Sequence, residues 1–123
     1  MTVNKAIICL GANTPDATER LAAAYSVLTI LGAVSKATPP YLTSPEYAGE
    51  KEPYLNQIVE LATYFDLNTL TERTKKYQTI IRSDNPYTPL VNIDIDIVEW
   101  NDTIIRPADA SAAYYRQGKE LLV

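Results

Sequence analysis

The 123-residue sequence predicts an α+β domain in which an antiparallel sheet carries helices on one face. Apolar runs typical of strands alternate with two stretches of helical periodicity, in the order strand, helix, strand, strand, helix, strand. This order is that of the split βαβ arrangement, and it predicts a ferredoxin-like fold. The length argues for a single domain over residues 1–123.

The first strand is predicted at residues 5–11, a short apolar run that ends in Gly11. A helix start follows, because Thr14 can cap a helix and Pro15 suits the first helical position. Leucine, alanine and tyrosine then recur at spacings of three and four, which gives one apolar helix face. Gly32 lies where a helix C-cap is expected.

The second strand is predicted at residues 33–42, where Pro39 and Pro40 imply an edge position or a bulge. The third strand is predicted at residues 54–65. The second helix opens at Asp66 and runs to about residue 82, with Leu70, Tyr77, Ile80 and Ile81 as candidates for its buried face.

The clearest strand is predicted at residues 91–100, where isoleucine alternates with aspartate. Asn101 and Asp102 form a plausible two-residue turn into a short strand at residues 103–106. Pro107 then begins a final short helix.

Composition excludes several classes of function. The net charge of −4 argues against non-specific nucleic-acid binding, and no apolar run approaches the ~20 residues of a membrane span. The single cysteine, Cys9, cannot form an internal disulfide and fits a reducing cytoplasm. Histidine is absent, so a metal site must use oxygen ligands, which favours Mg²⁺, Mn²⁺ or Ca²⁺. We expect a cytoplasmic protein with small-molecule ligands and neither nucleic-acid nor membrane partners.

Two carboxylates are the strongest chemical signal in the sequence. Asp94 and Asp96 alternate along a strand, so both point to one face with Cα atoms roughly 7 Å apart. That spacing lets both reach one hard cation or two neighbouring ones, and Mg²⁺ takes one or two carboxylates together with phosphate and water. The other interpretation is a solvated strand face that discourages edge pairing.

Two further segments are weaker candidates. Gly11 and Asn13 lie between the first strand and helix, where backbone N–H groups can bind an anion, or where a turn glycine and a capping residue are simply needed. Thr43, Tyr54 and Asn56 place an aromatic ring beside an amide, which suits a flat heterocycle but also an ordinary strand and loop.

In this order, the motifs resemble the 6-hydroxymethyl-7,8-dihydropterin pyrophosphokinase family. Gly11-Ala12-Asn13 is similar to the glycine-serine-asparagine of the family, and Thr43-Ser44-Pro45 to its threonine-proline-proline. Tyr54-Leu55-Asn56 matches its tyrosine-leucine-asparagine, and Asp94-Ile95-Asp96 its paired aspartates. The segment 101–105 fits the hairpin that follows the paired aspartates.

The resemblance implies transfer of pyrophosphate from ATP to the hydroxymethyl group of a dihydropterin, with release of AMP. Asp94 and Asp96 would hold two Mg²⁺ ions that bridge the ATP phosphates. On the pterin side, Asn56 would bind the ring edge, Tyr54 would stack on the ring, and Thr43 and Pro45 would line the pocket. The resemblance also places Gly11 and Asn13 on the substrate side, and Arg82 among the catalytic groups.

The chain departs from the family pattern at its ATP side. Val91 stands where the family has an arginine, and Ala108 where it has a histidine. The segment 76–78 replaces a region that usually carries a glutamate, and the loop after Arg82 lacks the further arginines and tryptophan of the family. The chain also stops soon after Tyr114 and Tyr115, one of which is a candidate for the second ring-stacking aromatic.

Three hypotheses follow. The first is a minimal pyrophosphokinase that uses Mg²⁺ and ATP. The second is a non-catalytic relative that binds a pterin or another small heterocycle after loss of the ATP site. The third is a ferredoxin-like domain with an unrelated role, in which Asp94 and Asp96 only form a polar face. Basic groups that converge on these two aspartates would favour the enzyme, and an open, neutral surface would favour the binding protein.

Overall fold

A computed structural model describes residues 2–44 and 53–123 of the chain. The elements, in chain order, are β1 (Asn4–Ala12), α1 (Ala17–Leu31), β2 (Ala33–Ala37), β3 (Tyr41–Thr43), β4 (Tyr54–Thr63), α2 (Leu67–Arg82), β5 (Asp94–Trp100), β6 (Thr103–Ile104), α3 (Pro107–Ser111) and α4 (Ala113–Leu121). Within these two described ranges, no helix is both long enough and apolar enough to cross a membrane.

The strands form one sheet in the order β2-β4-β1-β5-β6, and β3 also pairs with β4. Every neighbouring pair is antiparallel. The first strand therefore lies between the third and the last of the four strands in the split βαβ pattern. This order confirms the predicted α+β fold with an antiparallel, ferredoxin-like sheet.

The main core lies between the sheet and the helices α1 and α2. Because side chains alternate along a strand, the even-numbered residues of β1 and Ile95 and Ile97 of β5 point to these helices. The core side chains include Ala6, Ile8, Leu10, Leu21, Ala24, Leu28, Leu61, Leu70, Ile93, Ile95 and Ile97. Each large aliphatic side chain contributes about 1.5–3 kcal/mol on full burial, so this layer fixes the positions of the strands.

A smaller apolar cluster covers part of the opposite face, where α4 packs against the sheet. It contains Ile7, Cys9, Tyr41, Ile58, Val98 and Tyr115. The single predicted C-terminal helix is divided in two, because Ala112 has the extended backbone angles φ −71° and ψ 147°. Among residues 2–44 and 53–123, the C-terminal helices cover only part of this face, and the paired aspartates lie on the rest of it.

Several element boundaries differ from the prediction. The strand predicted at 33–42 is two strands, because residues 38–40 lie outside β2 and β3. Helix α1 begins at Ala17, and the Thr14 hydroxyl donates to Asp16 Oδ1 at 2.6 Å. Ile80 was predicted to be buried but is 55% exposed. The reason is that Leu70 and Thr74 set the buried face of α2, and Ile80 lies outside that stripe.

The predicted start of the second helix at Asp66 and the predicted turn at Asn101 and Asp102 are both confirmed. Asp66 caps α2 by accepting a hydrogen bond from the Thr69 amide at 2.7 Å. Asn101 and Asp102 both adopt positive φ, 48° and 68°, as a two-residue turn between twisted antiparallel strands requires. The turn positions β6 beside the end of β5.

Candidate active site

Three neighbouring strands place their functional residues side by side. Asn56 on β4 pairs with Gly11 on β1, and Gly11 pairs with Asp94 on β5. Since neighbouring strands lie about 4.8 Å apart, the Cα atoms of Asn56 and Asp94 are separated by roughly 10 Å across the glycine. The register therefore brings the predicted heterocycle-binding amide next to the predicted metal-binding carboxylate.

Gly11 leaves open the space between them. A Cβ atom at this position would lie 3.1 Å from Asn56 Oδ1 and 3.7 Å from Tyr54 Cδ1. A side chain would therefore crowd the amide and project into the cavity above the strand. The glycine is needed at the floor of the site for its small size.

A cavity of about 450 Å³ lies over this part of the sheet. Its size is in the range of ligand-binding pockets, ~300–1,000 Å³. It is lined by Cys9, Gly11, Thr43, Tyr54, Asn56, Asp94, Asp96, Arg106, Ala108, Asp109, Ala112 and Tyr114. The structure thus brings together six of the predicted site residues: Gly11, Thr43, Tyr54, Asn56, Asp94 and Asp96.

One end of the cavity, the neutral half, is built from Thr43, Tyr54 and Asn56. Asn56 is only 4% exposed, and its Nδ2 donates to Thr43 Oγ1 at 2.5 Å. Tyr54 and Thr43 pair across β3 and β4, so the ring and the hydroxyl belong to adjacent strands. This half offers an aromatic ring and an oriented amide, and it carries no formal charge.

The other end, the charged half, is lined by Asp94, Asp96 and Arg106, and two further basic side chains, Lys75 and Arg82, reach the carboxylates from α2. Arg82 forms an ion pair with Asp94 Oδ1. Lys75 Nζ lies 2.9 Å from Asp96 Oδ1, and Arg106 Nη2 lies 3.8 Å from the same oxygen. Basic groups therefore converge on the paired aspartates.

Two of these cations lie on α2 and contact the start of β5 along the part of its edge that β6 does not pair with. Arg82 Nε donates to the Ile93 carbonyl at 2.8 Å, and Lys75 Nζ to the Ile95 carbonyl at 2.5 Å. Between them, Gln78 Oε1 accepts a hydrogen bond from the Ile95 amide at 2.7 Å. These three side chains, the edge ladder, replace a neighbouring strand and fix the cations beside the carboxylates.

Burial acts on the electrostatics of the charged half. It raises the pKa of the Asp94 carboxyl above its usual range; the negative charge of Asp96 adds to the rise, and Arg82 opposes it. The ionised form is therefore costly here, and a cation at this position would relieve the cost.

The third wall of the cavity comes from the C-terminal helices. Asp109 Oδ2 accepts from Arg106 Nε at 2.6 Å, and Asp109 Oδ1 accepts from the Tyr114 hydroxyl. Burial and the bond to Asp109 raise the pKa of Tyr114, so its phenol stays protonated at neutral pH. Tyr115 instead belongs to the small apolar cluster and donates to Glu99. Tyr114 is thus the C-terminal aromatic that lines the cavity.

Three predicted site residues are not among those that line the cavity. Asn13 is 8% exposed, and its Oδ1 accepts from the Val91 amide at 2.6 Å, so its side chain holds the segment before β5. Arg82 reaches the site through Asp94. Pro45 lies outside the described residues.

Sequence reasoning missed Lys75, Gln78 and Asp109, and it did not place Arg106. The spacing 75, 78, 82 marks one face of a helix and was the available signal.

The family model for 7,8-dihydro-6-hydroxymethylpterin-pyrophosphokinase (HPPK) matches residues 7–117. The chain belongs to this family. A search of curated proteins finds no match. Among solved structures, the Plasmodium falciparum HPPK-DHPS wild type with pteroate is similar, with a TM-score of 0.60 and 16% sequence identity. The alignment covers 82% of this chain and 29% of that one, so the chain spans less than a third of that protein. At this identity the likeness concerns the fold alone.

The two main family departures have different surroundings in the structure. Ala108, at the position of the family's histidine, lines the cavity. Arg106, two residues earlier, directs its guanidinium to Asp96 and supplies a cation on the same wall. Val91, at the position of the family's arginine, instead pairs its backbone with Asn13. One of the two lost side chains thus has a nearby basic neighbour.

The two carboxylates fit a magnesium ion that takes its remaining ligands from a bound phosphate compound and from water. Asp94 and Asp96 offer hard carboxylate oxygens on one strand face. Within residues 2–44 and 53–123, no group of three acidic, cysteine or histidine side chains forms a closed metal cage. Mg²⁺ commonly binds one or two carboxylates and completes its shell with phosphate oxygens and water.

Proposed function

We propose that this chain is a pyrophosphokinase of the folate pathway, which transfers pyrophosphate from ATP to 6-hydroxymethyl-7,8-dihydropterin with Mg²⁺. Membership of the HPPK family supports the reaction class. The arrangement of one cavity with a neutral half and a charged half supports the two substrates.

The observation that carries the proposal is the balance of charge around Asp94 and Asp96. Three cations, Lys75, Arg82 and Arg106, face the two aspartates, and Asp109 shares Arg106. A ligand that carries only negative charge would leave the two carboxylates without a partner, and a ligand that carries only positive charge would leave the basic side chains without one. A complex of Mg²⁺ with a polyphosphate brings both signs, so the metal meets the carboxylates while the phosphates meet the cations.

Each residue has a proposed task. Asp94 and Asp96 would hold Mg²⁺, which neutralises phosphate charge and aligns the transfer when bound. Lys75, Arg82 and Arg106 would bind phosphate oxygens through charge-assisted hydrogen bonds.

On the neutral side, Asn56 would bind the edge of the pterin, and Tyr54 and Tyr114 would contact its ring. The register across Gly11 would direct the hydroxymethyl group of the pterin to the charged half.

The test is AMP formation from ATP and 6-hydroxymethyl-7,8-dihydropterin in the presence of Mg²⁺. We expect AMP that requires the pterin and is lost in Asp94→Asn. Asp102→Asn is the matched control, because Asp102 is 81% exposed, forms its ion pair with Lys5 far from the cavity residues, and lies in a turn that asparagine tolerates. Absence of AMP in the wild type, with pterin binding still measured by calorimetry, would indicate the non-catalytic binding protein instead.

A further inference from the structure

A chain of polar contacts connects the two halves of the cavity along its C-terminal wall. It runs from Asp96 to Arg106, from Arg106 to Asp109, and from Asp109 to Tyr114. Asp109 is the central member, since each of its carboxylate oxygens accepts from a different neighbour. Its side chain is only 22% exposed, which limits competition from water.

The contacts of Asp109 matter for the position of α3, because this helix is short and weakly packed. Helix α3 has five residues and none of them is fully buried; the partly buried Ala110 packs against the small apolar cluster and is a weak anchor to the sheet. A helix of this length is not stable through its own hydrogen bonds. The hydrogen bonds of Asp109 therefore connect Arg106, which precedes α3, with Tyr114, which follows it, and help to fix the positions of both side chains.

We propose that Asp109 is a positioning residue that orients Arg106 toward the charged half and Tyr114 toward the neutral half. The inference rests on the proposed function, because it assigns each partner to one substrate. Asp109 acts through these two neighbours, each of which donates to one of its carboxylate oxygens.

The proposal predicts effects on both ligands from a single neutral substitution. In Asp109→Asn the carboxylate charge is lost and one oxygen becomes an amide donor, so the contact with Arg106 is weakened and the contact with Tyr114 loses its acceptor. We expect affinity for 6-hydroxymethylpterin and for the Mg²⁺ complex of a non-hydrolysable ATP analogue each to fall roughly tenfold. Asp109→Glu keeps both acceptor oxygens and should recover part of each loss. Asp84→Asn, at a side chain that is 92% exposed, is the matched control.

Double-mutant cycles separate positioning from general stability. With Tyr114→Phe already present, adding Asp109→Asn should have little further effect on pterin affinity. With Arg106→Gln present, it should have little further effect on nucleotide affinity. A loss of folding stability would instead weaken both ligands equally in every background, and circular dichroism checks the fold of each variant.

The outcomes distinguish this inference from the proposed function. Ligand-specific coupling supports it, even if the wild type binds both probes and forms no AMP, which would defeat only the proposed function. Additive losses in both cycles, or unchanged affinities in Asp109→Asn, overturn the role of Asp109 and leave the proposed function intact. A wild type that binds neither probe overturns both.

Discussion

The two halves of the cavity are built on different physical principles. The neutral half contains a short hydrogen bond from Asn56 to Thr43, and the amide of Asn56 is buried in the sheet. The charged half is held by ion pairs from α2 and from Arg106, which already neutralise Asp94 and Asp96. A ligand can enter the neutral half without breaking charge pairs, whereas the charged half must exchange partners. Because the ion pairs of the charged half must be exchanged, a ligand that carries both positive and negative charge suits this half.

The substitution with the largest expected effect tests whether the charged half contributes to turnover without contributing to pterin binding. Asp96→Asn removes a proposed metal ligand, whose metal contributes several kcal/mol to transition-state stabilisation, so turnover should fall about 100-fold or more. Pterin affinity should stay within about twofold. Steady-state kinetics and calorimetry measure the two quantities, and Asp102→Asn is again the control. Equal losses in turnover and pterin affinity would show that the halves are not separate.

The neutral half is tested by the converse substitution. Asn56→Ala deletes the buried amide, and the ring edge that it would bind loses its partner at a cost of about 1–3 kcal/mol. Pterin affinity should fall about 5- to 150-fold, while affinity for the Mg²⁺–nucleotide complex stays within about twofold. Calorimetry with each ligand measures both. Asn68→Ala, at an exposed position in the first turn of α2, is the control. Unchanged pterin affinity would remove Asn56 from the site.

A third substitution sharpens the comparison through the edge ladder. Gln78→Ala leaves the Ile95 amide without its acceptor and lets Lys75 move, so the free energy of unfolding should fall by about 1–2 kcal/mol. Nucleotide affinity should fall a few-fold, and pterin affinity should not change. Urea denaturation and calorimetry measure these values. The control is Gln117→Ala on the exposed face of α4. A matching loss of pterin affinity would mean that α2 supports both halves.

The smallest effect is a gain in stability. Because the pKa of Asp94 in the folded state lies above its unfolded value, ionised Asp94 destabilises the fold at neutral pH. Asp94→Asn should raise the melting temperature slightly, and the increase is small because the side chain is 38% exposed to water. The difference should vanish below about pH 4, where the carboxyl is protonated in both states.

Asp102→Asn should have the opposite sign, since a hydrogen bond from Lys5 lowers the pKa of Asp102. Thermal melts from pH 3 to pH 8 compare the two variants. A lower melting temperature for Asp94→Asn at neutral pH would contradict the prediction and would mean that the pair with Arg82 outweighs burial.

Local patterns in the sequence determined much of this molecule. The alternation of isoleucine and aspartate puts Asp94 and Asp96 on one face of β5 because side-chain direction in a strand repeats every two residues. The capping residue Asp66 and the turn pair Asn101–Asp102 act within a few residues of chain, so their structures follow from short-range chemistry. The fold class followed from the order of these elements.

Only the tertiary structure decided which cations meet the carboxylates. Lys75 and Gln78 reach β5 because α2 packs beside the part of its edge that β6, which pairs only with Glu99 and Trp100, leaves unpaired among the described strands. Sequence spacing does not reveal which part of an edge stays open. Arg106 and Asp109 meet the site because the chain turns back after β6 over the uncovered face of the sheet. The contacts of Lys75, Gln78 and Arg106 with β5 join different secondary-structure elements through long, rotatable side chains, so their geometry depends on packing and not on local pattern.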